Sequence, residues 1–278
     1  MEGMPVAPTQ DALYAGLDLE LSWSERDLPQ RERTRHVHGL HPYLGKYIPQ
    51  VVEVLLGRFV RPGGRVLDPF AGSGTTLVQA LESGVHAAGS DVAAFNCLLI
   101  AVKTRRYNLF ALEHDVRDTL RRFDALSTDE AGGGAPAFLR RWYAPAAAAD
   151  LLRFRSLILH SEHADVLRVV LARAARSARL TTHFDLDFPR APVRDEYWCH
   201  KHRRRCRPVE RADHFLRRYA LDTVARLKAF ARVRGGGVDA DVVHSDARDL
   251  VWDAIGTATG VVVAWTVDWL IRRVIAAS

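Results

Sequence analysis

Apolar and polar positions follow two distinct patterns in the first third of the chain. Apolar residues recur at helical spacing from Pro49 to Val60, and Pro62-Gly63-Gly64 ends that pattern. Two short apolar runs follow at Arg65–Asp68 and Val85–Ser90, and between them a loop leads into a predicted helix at Thr75–Ser83. This succession is a βαβ unit, which predicts a parallel sheet with a right-handed crossover.

The middle of the chain is mostly helical in pattern. Phe95–Lys103 and two long arginine-rich runs, Leu151–Leu180 and Arg211–Val233, have helical periodicity, and strand patterns return at Val238–His244 and Gly260–Ala264. The sequence therefore predicts an α/β fold with an incomplete parallel sheet and a helical insertion. The expected divisions are an N-terminal arm at residues 1–35, the first half of the core at 36–104, the insertion at 105–236 and the continuation of the sheet at 237–278.

Composition and charge narrow the class of protein. The 278 residues are 48% hydrophobic and 26% charged, as in folded globular proteins. Residues 139–220 hold 18 Lys or Arg against nine Asp or Glu, whereas the rest of the chain holds 21 against 24. Such a basic region attracts polyanions, although a solvated arginine-rich helix face is the alternative. Three cysteines, and the lack of a signal-peptide or membrane-span pattern, predict a cytoplasmic protein.

The most specific chemistry lies in residues 68–76, Asp-Pro-Phe-Ala-Gly-Ser-Gly-Thr-Thr, here named the glycine loop. It follows a strand and opens a helix whose first N–H groups face a ligand. A phosphate-binding P-loop requires a lysine after the last glycine, and a dinucleotide fingerprint requires Gly or Ala where Leu77 stands. Asp68 would repel a pyrophosphate, but it attracts the ammonium and sulfonium groups of S-adenosyl-L-methionine. The loop therefore favours that cofactor.

Two more acids follow predicted strands. Asp91 comes after the second strand and is expected to accept hydrogen bonds from ribose hydroxyls, and Asp246 is expected to accept from the adenine amine. Because the carboxyl ends of parallel strands meet at one edge, Asp68, Asp91 and Asp246 should lie together. Each alone is more often a turn or helix-cap residue, but together they favour the cofactor.

With the preceding segment His41–Pro49, the glycine loop resembles the amino-group DNA methyltransferases that modify adenine N6 or cytosine N4. The resemblance extends to Gly89-Ser90-Asp91 and Asp246-Ala247-Arg248. It implies a Rossmann-like methyltransferase core, S-adenosyl-L-methionine as cofactor, and DNA as substrate, as in restriction–modification systems, with the insertion as target-recognition region. The cofactor contacts it implies are Tyr43, Lys46, Tyr47, Asp68, Pro69, Phe70, Ala71, Gly72, Ser73, Gly74, Thr75, Asp91, Asp246 and Ala247. A loop packed on the sheet is the alternative for the first three.

The sequence departs from the family pattern after the strand at 260–264. There the family has a Ser/Asn/Asp-Pro-Pro-aromatic tetrad, which accepts the amine hydrogens and stacks on a flipped base. This chain has Ala264-Trp265-Thr266-Val267-Asp268-Trp269 at that place and no Pro-Pro pair. We therefore assign no catalytic residue and expect this chain to be inactive alone; replacement of the tetrad by Trp265 and Asp268 is disfavoured.

Several explanations of this departure remain open. In order of preference they are a frameshifted or truncated coding sequence, one half of a split enzyme whose second chain supplies the tetrad, and a non-catalytic protein that binds the cofactor or nucleic acid. An RNA amino-methyltransferase is the alternative enzyme, because such RNA enzymes share the loop.

Two clusters contain residues that bind metals in other proteins. His36, His38 and His41 lie close in sequence without a nearby fourth ligand, and Cys199-His200-Lys201-His202 precedes Cys206. The second spacing does not match the paired cysteines of zinc knuckles. Surface histidines and buried cysteines are therefore favoured, and no metal is predicted.

A basic cluster overlaps the cysteine segment. Arg203, Arg204, Arg205 and Arg207 follow Tyr197 and Trp198, a pattern that suits phosphate contact with base stacking. These arginines are the predicted nucleic-acid contacts, with DNA favoured over RNA. A solvated loop anchored by Trp198 is the alternative.

Overall fold

The computed structural model describes residues 24, 26–43, 46–126, 135–183 and 189–250. It divides into two compact units, one that reaches Thr104 and resumes at Arg234, and one that spans Arg105–Val233. Most of the predicted N-terminal arm, the predicted strand at 260–264, and Trp265 and Asp268 lie outside the described residues. Among the described helices, none is long and apolar enough to cross a membrane.

The first unit contains the predicted βαβ unit. Its elements are α1 (Gln30–Arg33), a 3-10 turn (His36–Gly39), α2 (Pro49–Phe59), β1 (Arg65–Asp68), α3 (Thr75–Glu82), β2 (His86–Asp91), α4 (Ala94–Thr104), β5 (Ala240–His244) and a 3-10 turn (Ala247–Asp249). β1 has the predicted boundaries, and those of α2, α3, β2, α4 and β5 differ from the predicted ones by at most two residues. α1 and the two 3-10 turns are not part of the sequence-based prediction.

The three strands of this unit form a parallel sheet in the order β1-β2-β5. Asp68 is in register with Gly89, and Asp91 with His244, so the carboxyl ends of all three strands lie at one edge. The predicted Rossmann-like α/β core is confirmed in these strands and their connecting helices.

The sheet is covered unequally on its two faces. On one face the apolar residues of α2, α3 and α4, among them Val52, Leu77 and Ile100, pack with Val66 and Ala87 of the strands. On the other face, Leu67 and Ala88 pack with Leu250 and Ala247. Because β1 and β2 are buried on both faces, their residues read as continuous apolar runs.

The second unit is helical except for one hairpin. Its elements are α5 (Leu109–Ala125), α6 (Ala137–Trp142), α7 (Pro145–Ile158), α8 (Ala164–Ala178), β3 (Tyr197–Cys199), β4 (Arg204–Cys206) and α9 (Asp213–Val233). The antiparallel pair β3 and β4 is missing from the sequence-based prediction, because strands of three residues are too short to show a period of two.

The predicted helical run Leu151–Leu180 contains parts of two helices, since α7 ends at Ile158 and α8 begins at Ala164. Asp115 of α5 fixes the interruption. Its carboxylate accepts the Ser161 hydroxyl at 2.6 Å and the His163 backbone N–H at 3.0 Å.

A buried carboxylate joins α7 to the start of α9. Asp150 is 1% exposed and accepts hydrogen bonds from the side chains of Arg153 and Arg211 and from the N–H groups of Ala212 and Asp213, at 2.9–3.3 Å. A buried charge is tolerated when its oxygens are satisfied in this way.

Candidate functional site

The glycine loop runs over the carboxyl edge of the sheet with two left-handed residues. Gly72 has φ +51° and Gly74 has φ +80°. Residues that carry a side chain rarely adopt this backbone conformation. A Cβ at Gly74 would lie 2.7 Å from Cγ1 of Ile100, and one at Gly72 would lie 3.2 Å from the Tyr43 hydroxyl. Both glycines are therefore required by backbone conformation and by the close approach of their neighbours.

Asp68 holds the loop to the upstream segment. Its carboxylate accepts the Phe70 N–H at 3.1 Å, the Thr76 hydroxyl at 2.5 Å and the Tyr47 hydroxyl at 3.2 Å. Tyr47 and Thr76 also contact each other through their hydroxyls. Burial raises the pKa of Asp68 to about 6 despite these donors, and burial likewise raises the pKa of Tyr47. Asp68 therefore acts as an anchor of the loop in this arrangement.

Two residues absent from the predicted site also fix the loop. Ser90 accepts the Ala71 N–H through its carbonyl at 2.9 Å and donates its hydroxyl to the Pro69 carbonyl at 2.8 Å. Lys103, fully buried on α4, donates to the Ser73 carbonyl at 2.5 Å. Burial, with a smaller contribution from the charge of Lys46, lowers the pKa of Lys103 to about 7. A lysine at the end of an apolar helix was the only sequence signal.

Asp91 is fixed at the end of β2. Its Oδ2 accepts the Gly72 N–H at 2.9 Å, and its Oδ1 accepts the Ala93 N–H at 2.8 Å and the Asn96 amide at 3.0 Å. A carboxylate has about four acceptor positions, so one remains for a further donor. Asn96, which the sequence reasoning missed, also donates to the Tyr43 hydroxyl at 3.4 Å.

Asp246 lies at the same edge but is engaged differently from the expectation. Its carboxylate accepts the backbone N–H of Arg248 at 2.9 Å and two guanidinium hydrogen bonds at 2.7 and 3.0 Å. These bonds hold the pKa of Asp246 at about 2. Ala247 packs with Leu67 and Ala88 beneath that edge.

Of the three predicted contacts that precede the loop in sequence, the two tyrosines lie beside it. Tyr43 is placed against Gly72, and Tyr47 against Asp68. The Nζ of Lys46 donates to the His38 carbonyl at 2.9 Å. Phe70 is one of the exposed large apolar side chains.

The loop leaves some of its polar groups without a side-chain partner. Gly74 starts α3 without a side chain that caps the first N–H groups, and Thr75 is the buried first residue of the helix. Within the described part of the chain, the Ser73 hydroxyl is buried and has no hydrogen-bond partner. A buried polar group of this kind indicates a missing ligand or water.

The three histidines that lie close together in sequence do not form one cluster in the structure. His36 and His38 contact the Oε1 of Glu82 at 2.7 and 3.4 Å, and Arg35 pairs with Oε2 at 2.7 Å. Burial outweighs Glu82 and lowers the pKa of His38 to about 4. His41 instead packs edge-on against Phe95 with ring centroids 5.1 Å apart.

The basic cluster lies on the hairpin of β3 and β4. Arg203 occupies the turn with φ +51°, and Arg204 and Arg205 are exposed on β4, whereas Arg207 pairs with Glu196 at 2.7 Å. Trp198 is 58% exposed, so more than half of its surface is accessible. Trp198 and Arg205 are register partners and therefore share one face of the hairpin.

Comparison with known proteins bears on the whole arrangement. A sequence model of the DNA methylase family of N6 and N4 methyltransferases matches residues 15–102. The Type II methyltransferase M.MjaII of Methanocaldococcus jannaschii is 32% identical over an alignment that covers 81% of this chain and 55% of that protein. The chain thus spans about half the length of this relative. No solved structure matches the chain. Since the glycine loop, the parallel sheet and both sequence comparisons agree, the chain belongs to the amino-group DNA methyltransferase family.

Proposed function

We propose that this chain binds S-adenosyl-L-methionine in the glycine loop and serves as the cofactor-binding part of a DNA amino-methyltransferase. The observation that carries the proposal is a set of polar groups in and next to the loop: the buried Ser73 hydroxyl without a partner, the uncapped start of α3, and the Asp91 carboxylate that accepts the Gly72 N–H. Hydroxyl, N–H and carboxylate groups suit the ribose and methionine ends of that cofactor. The residues therefore fit the group.

Each residue has a distinct role in this proposal. Asp91 uses its remaining acceptor position for a ribose hydroxyl, Ser73 offers its hydroxyl, and Phe70 supplies an exposed apolar surface. Asp68 and Tyr47 position the loop through their mutual hydrogen bond. Asp246 receives the adenine amine only by sharing its oxygens with Arg248. When bound, the cofactor supplies an electrophilic methyl group.

The chemical step is expected to need residues that this chain does not contain. The nitrogen lone pair of an exocyclic amine is delocalised, so transfer requires fixed acceptors for the amine hydrogens. The 278 residues contain no Pro-Pro pair and hence no family tetrad. We propose that the chain alone transfers no methyl group and that a second chain or a further segment supplies the tetrad.

Calorimetry on the 278-residue chain tests the cofactor site. S-adenosylhomocysteine should bind, ATP should not, and Asp91→Asn should weaken binding at least about tenfold, since a charge-assisted hydrogen bond contributes about 1.5–3 kcal/mol. Asp241→Asn is the matched control, because Asp241 lies on β5 and contacts Arg65 at 3.3 Å instead of the loop. ATP binding without S-adenosylhomocysteine binding, or equal affinities of both variants, would refute the site.

Nucleic-acid binding is proposed for the exposed face of the hairpin. Trp198 offers a ring for base stacking and Arg205, its register partner, offers a guanidinium for phosphate. Arg203 and Arg204 extend the positive charge, while Arg207 shares its charge with Glu196. Because the remaining features are those of a DNA methyltransferase family, DNA is the proposed partner.

Salt-dependent anisotropy with labelled duplex DNA and with an RNA hairpin tests this proposal. Arg205→Ala should lower the magnitude of the slope of log K against log salt by about one, the effect of one lost phosphate contact. Arg121→Ala removes an exposed arginine of α5 that pairs with Asp118 and is the control. Equal changes in the two variants would exclude the hairpin, and tighter RNA binding would favour the RNA enzyme.

Methyl incorporation into mixed DNA and RNA tests the expected inactivity. The chain should give no signal above the background of a Gly74→Ala variant. Robust incorporation would overturn the prediction and would direct attention to Asp268 and Trp265.

A further inference from the structure

Four residues with metal-binding side chains converge at the hairpin of β3 and β4. The ligand atoms of His183, Cys199, His202 and Cys206 all lie within 4.8 Å of one another. Three residues come from the hairpin, while His183 follows α8 and lies 16 positions before Cys199, which is why the sequence spacing did not reveal the set.

The distances match coordination geometry. Sγ of Cys199 lies 3.6 Å from Nδ1 of His183 and 3.6 Å from Nδ1 of His202. Nδ1 of His202 also lies 3.4 Å from Sγ of Cys206. A tetrahedral zinc ion with ordinary Zn–S and Zn–N bonds places sulfur and nitrogen ligands about 3.6 Å apart. Sulfur–nitrogen hydrogen bonds alone would be weak at these distances.

The strand register disfavours the simplest alternative, a disulfide. Cys199 pairs with Arg204 and Cys206 pairs with Tyr197, so the two cysteines are diagonal neighbours on one face. Diagonal partners lie about 7–8 Å apart, beyond the usual Cα separation of a disulfide. Both thiols are free in the structure. A metal ion spans such a gap because its two bonds add to the reach of the side chains.

The hairpin of β3 and β4 also needs a further stabilising interaction. Two strands of three residues form an isolated hairpin that is marginally stable without further support. Cys199 and Cys206 are 2% and 8% exposed, so the thiol face is shielded, whereas both histidines are exposed and leave a path for an ion. The Tyr197 hydroxyl contacts Nδ1 of His183 and accepts the His183 backbone N–H at 3.1 Å. The hydroxyl therefore keeps one hydrogen-bond partner when Nδ1 of His183 binds a metal ion.

We propose that His183, Cys199, His202 and Cys206 bind one zinc ion that fixes the hairpin to the segment after α8. Two thiolates and two imidazoles in a tetrahedron are the donor set typical of zinc. All four positions are filled by protein, so the site is structural. The proposal is independent of the cofactor and nucleic-acid sites.

Metal analysis of the full chain, purified with a phosphine reductant and without chelator, tests the site. We expect one zinc per chain, and Co²⁺ added to the chelated protein should give the intense visible bands of tetrahedral thiolate coordination. Cys206→Ser should weaken metal binding at least about 100-fold. Cys97→Ser is the matched control, because Cys97 lies on α4 and contacts the Asp91 carbonyl.

A further variant separates coordination from general folding. His202→Cys should keep one metal per chain and shift the Co²⁺ charge-transfer band to the intensity of three thiolates. Wild-type chain that binds neither zinc nor Co²⁺, or that carries a Cys199–Cys206 disulfide by mass spectrometry, would overturn the proposal. So would metal retained equally in Cys206→Ser and Cys97→Ser. The Co²⁺ titration of wild-type chain needs no variant to fold.

Discussion

The two compact units fix their interior polar groups by different means. Around the glycine loop, Asp68, Asp91 and Ser90 bond mainly to backbone groups and hydroxyls within the loop. In the helical unit, Asp150 and Arg173 are buried side chains that join one helix to another. The first means holds one loop in place at the edge of the sheet, whereas the second stabilises the packing of helices.

The largest expected effect concerns the helical unit. Asp150→Ala removes a carboxylate that satisfies two arginines and two N–H groups, so the free energy of unfolding should fall by about 3–4 kcal/mol. Urea denaturation followed by helical circular dichroism measures it. Asp118→Ala breaks an exposed pair with Arg121 and should cost about 0.5 kcal/mol or less. Similar losses in both variants would show that the buried carboxylate does not hold α7 to α9.

The second effect concerns the loop. Gly74→Ala combines a left-handed φ with a Cβ 2.7 Å from Ile100, so we expect a loss of about 2–3 kcal/mol and loss of S-adenosylhomocysteine binding. Gly84 has φ +70° but open space, so Gly84→Ala should cost about 1 kcal/mol and leave binding unchanged. Thermal denaturation and calorimetry measure both. Equal losses would mean that Ile100 yields and that the backbone conformation alone matters.

The smallest effect is a pH dependence that comes from Lys103. Its pKa is about 7 in the folded chain, so between pH 7 and 9 the unfolded chain binds more protons and stability rises with pH. Lys103 should raise the free energy of unfolding by about 2 kcal/mol between pH 7 and 9, and Lys103→Met should abolish this increase. Denaturant midpoints at the two pH values measure it. Lys201→Met, on the exposed hairpin turn, should keep the wild-type dependence; an unchanged dependence in Lys103→Met would place the titration elsewhere.

Some of the site could be predicted because its parts are contiguous. The order of Asp68, the two loop glycines and Thr76 encodes strand, turn and helix start within nine residues, and the structure has those elements there. The edge shared by Asp68, Asp91 and Asp246 follows from the parallel sheet alone. That Tyr43 and Tyr47 lie at the loop came from the family resemblance.

Other parts depend on residues that are distant in sequence. Nothing local indicates that Asn96 reaches Tyr43 or that Lys103 lies under Ser73. The hairpin is also invisible to periodicity, and with it the cluster that includes His183. Side-chain partners are selected by distance in space, which local patterns do not contain.

By itself the sequence determined the parallel sheet, the glycine loop and the basic character of the middle region, because backbone propensity, hydrophobic period and charge act over a few neighbouring residues. Only the tertiary structure decided which carboxylates remain open to a ligand and which are already satisfied. It also decided that two cysteines and two histidines meet. These outcomes depend on packing and on competition for hydrogen bonds between elements far apart in the chain.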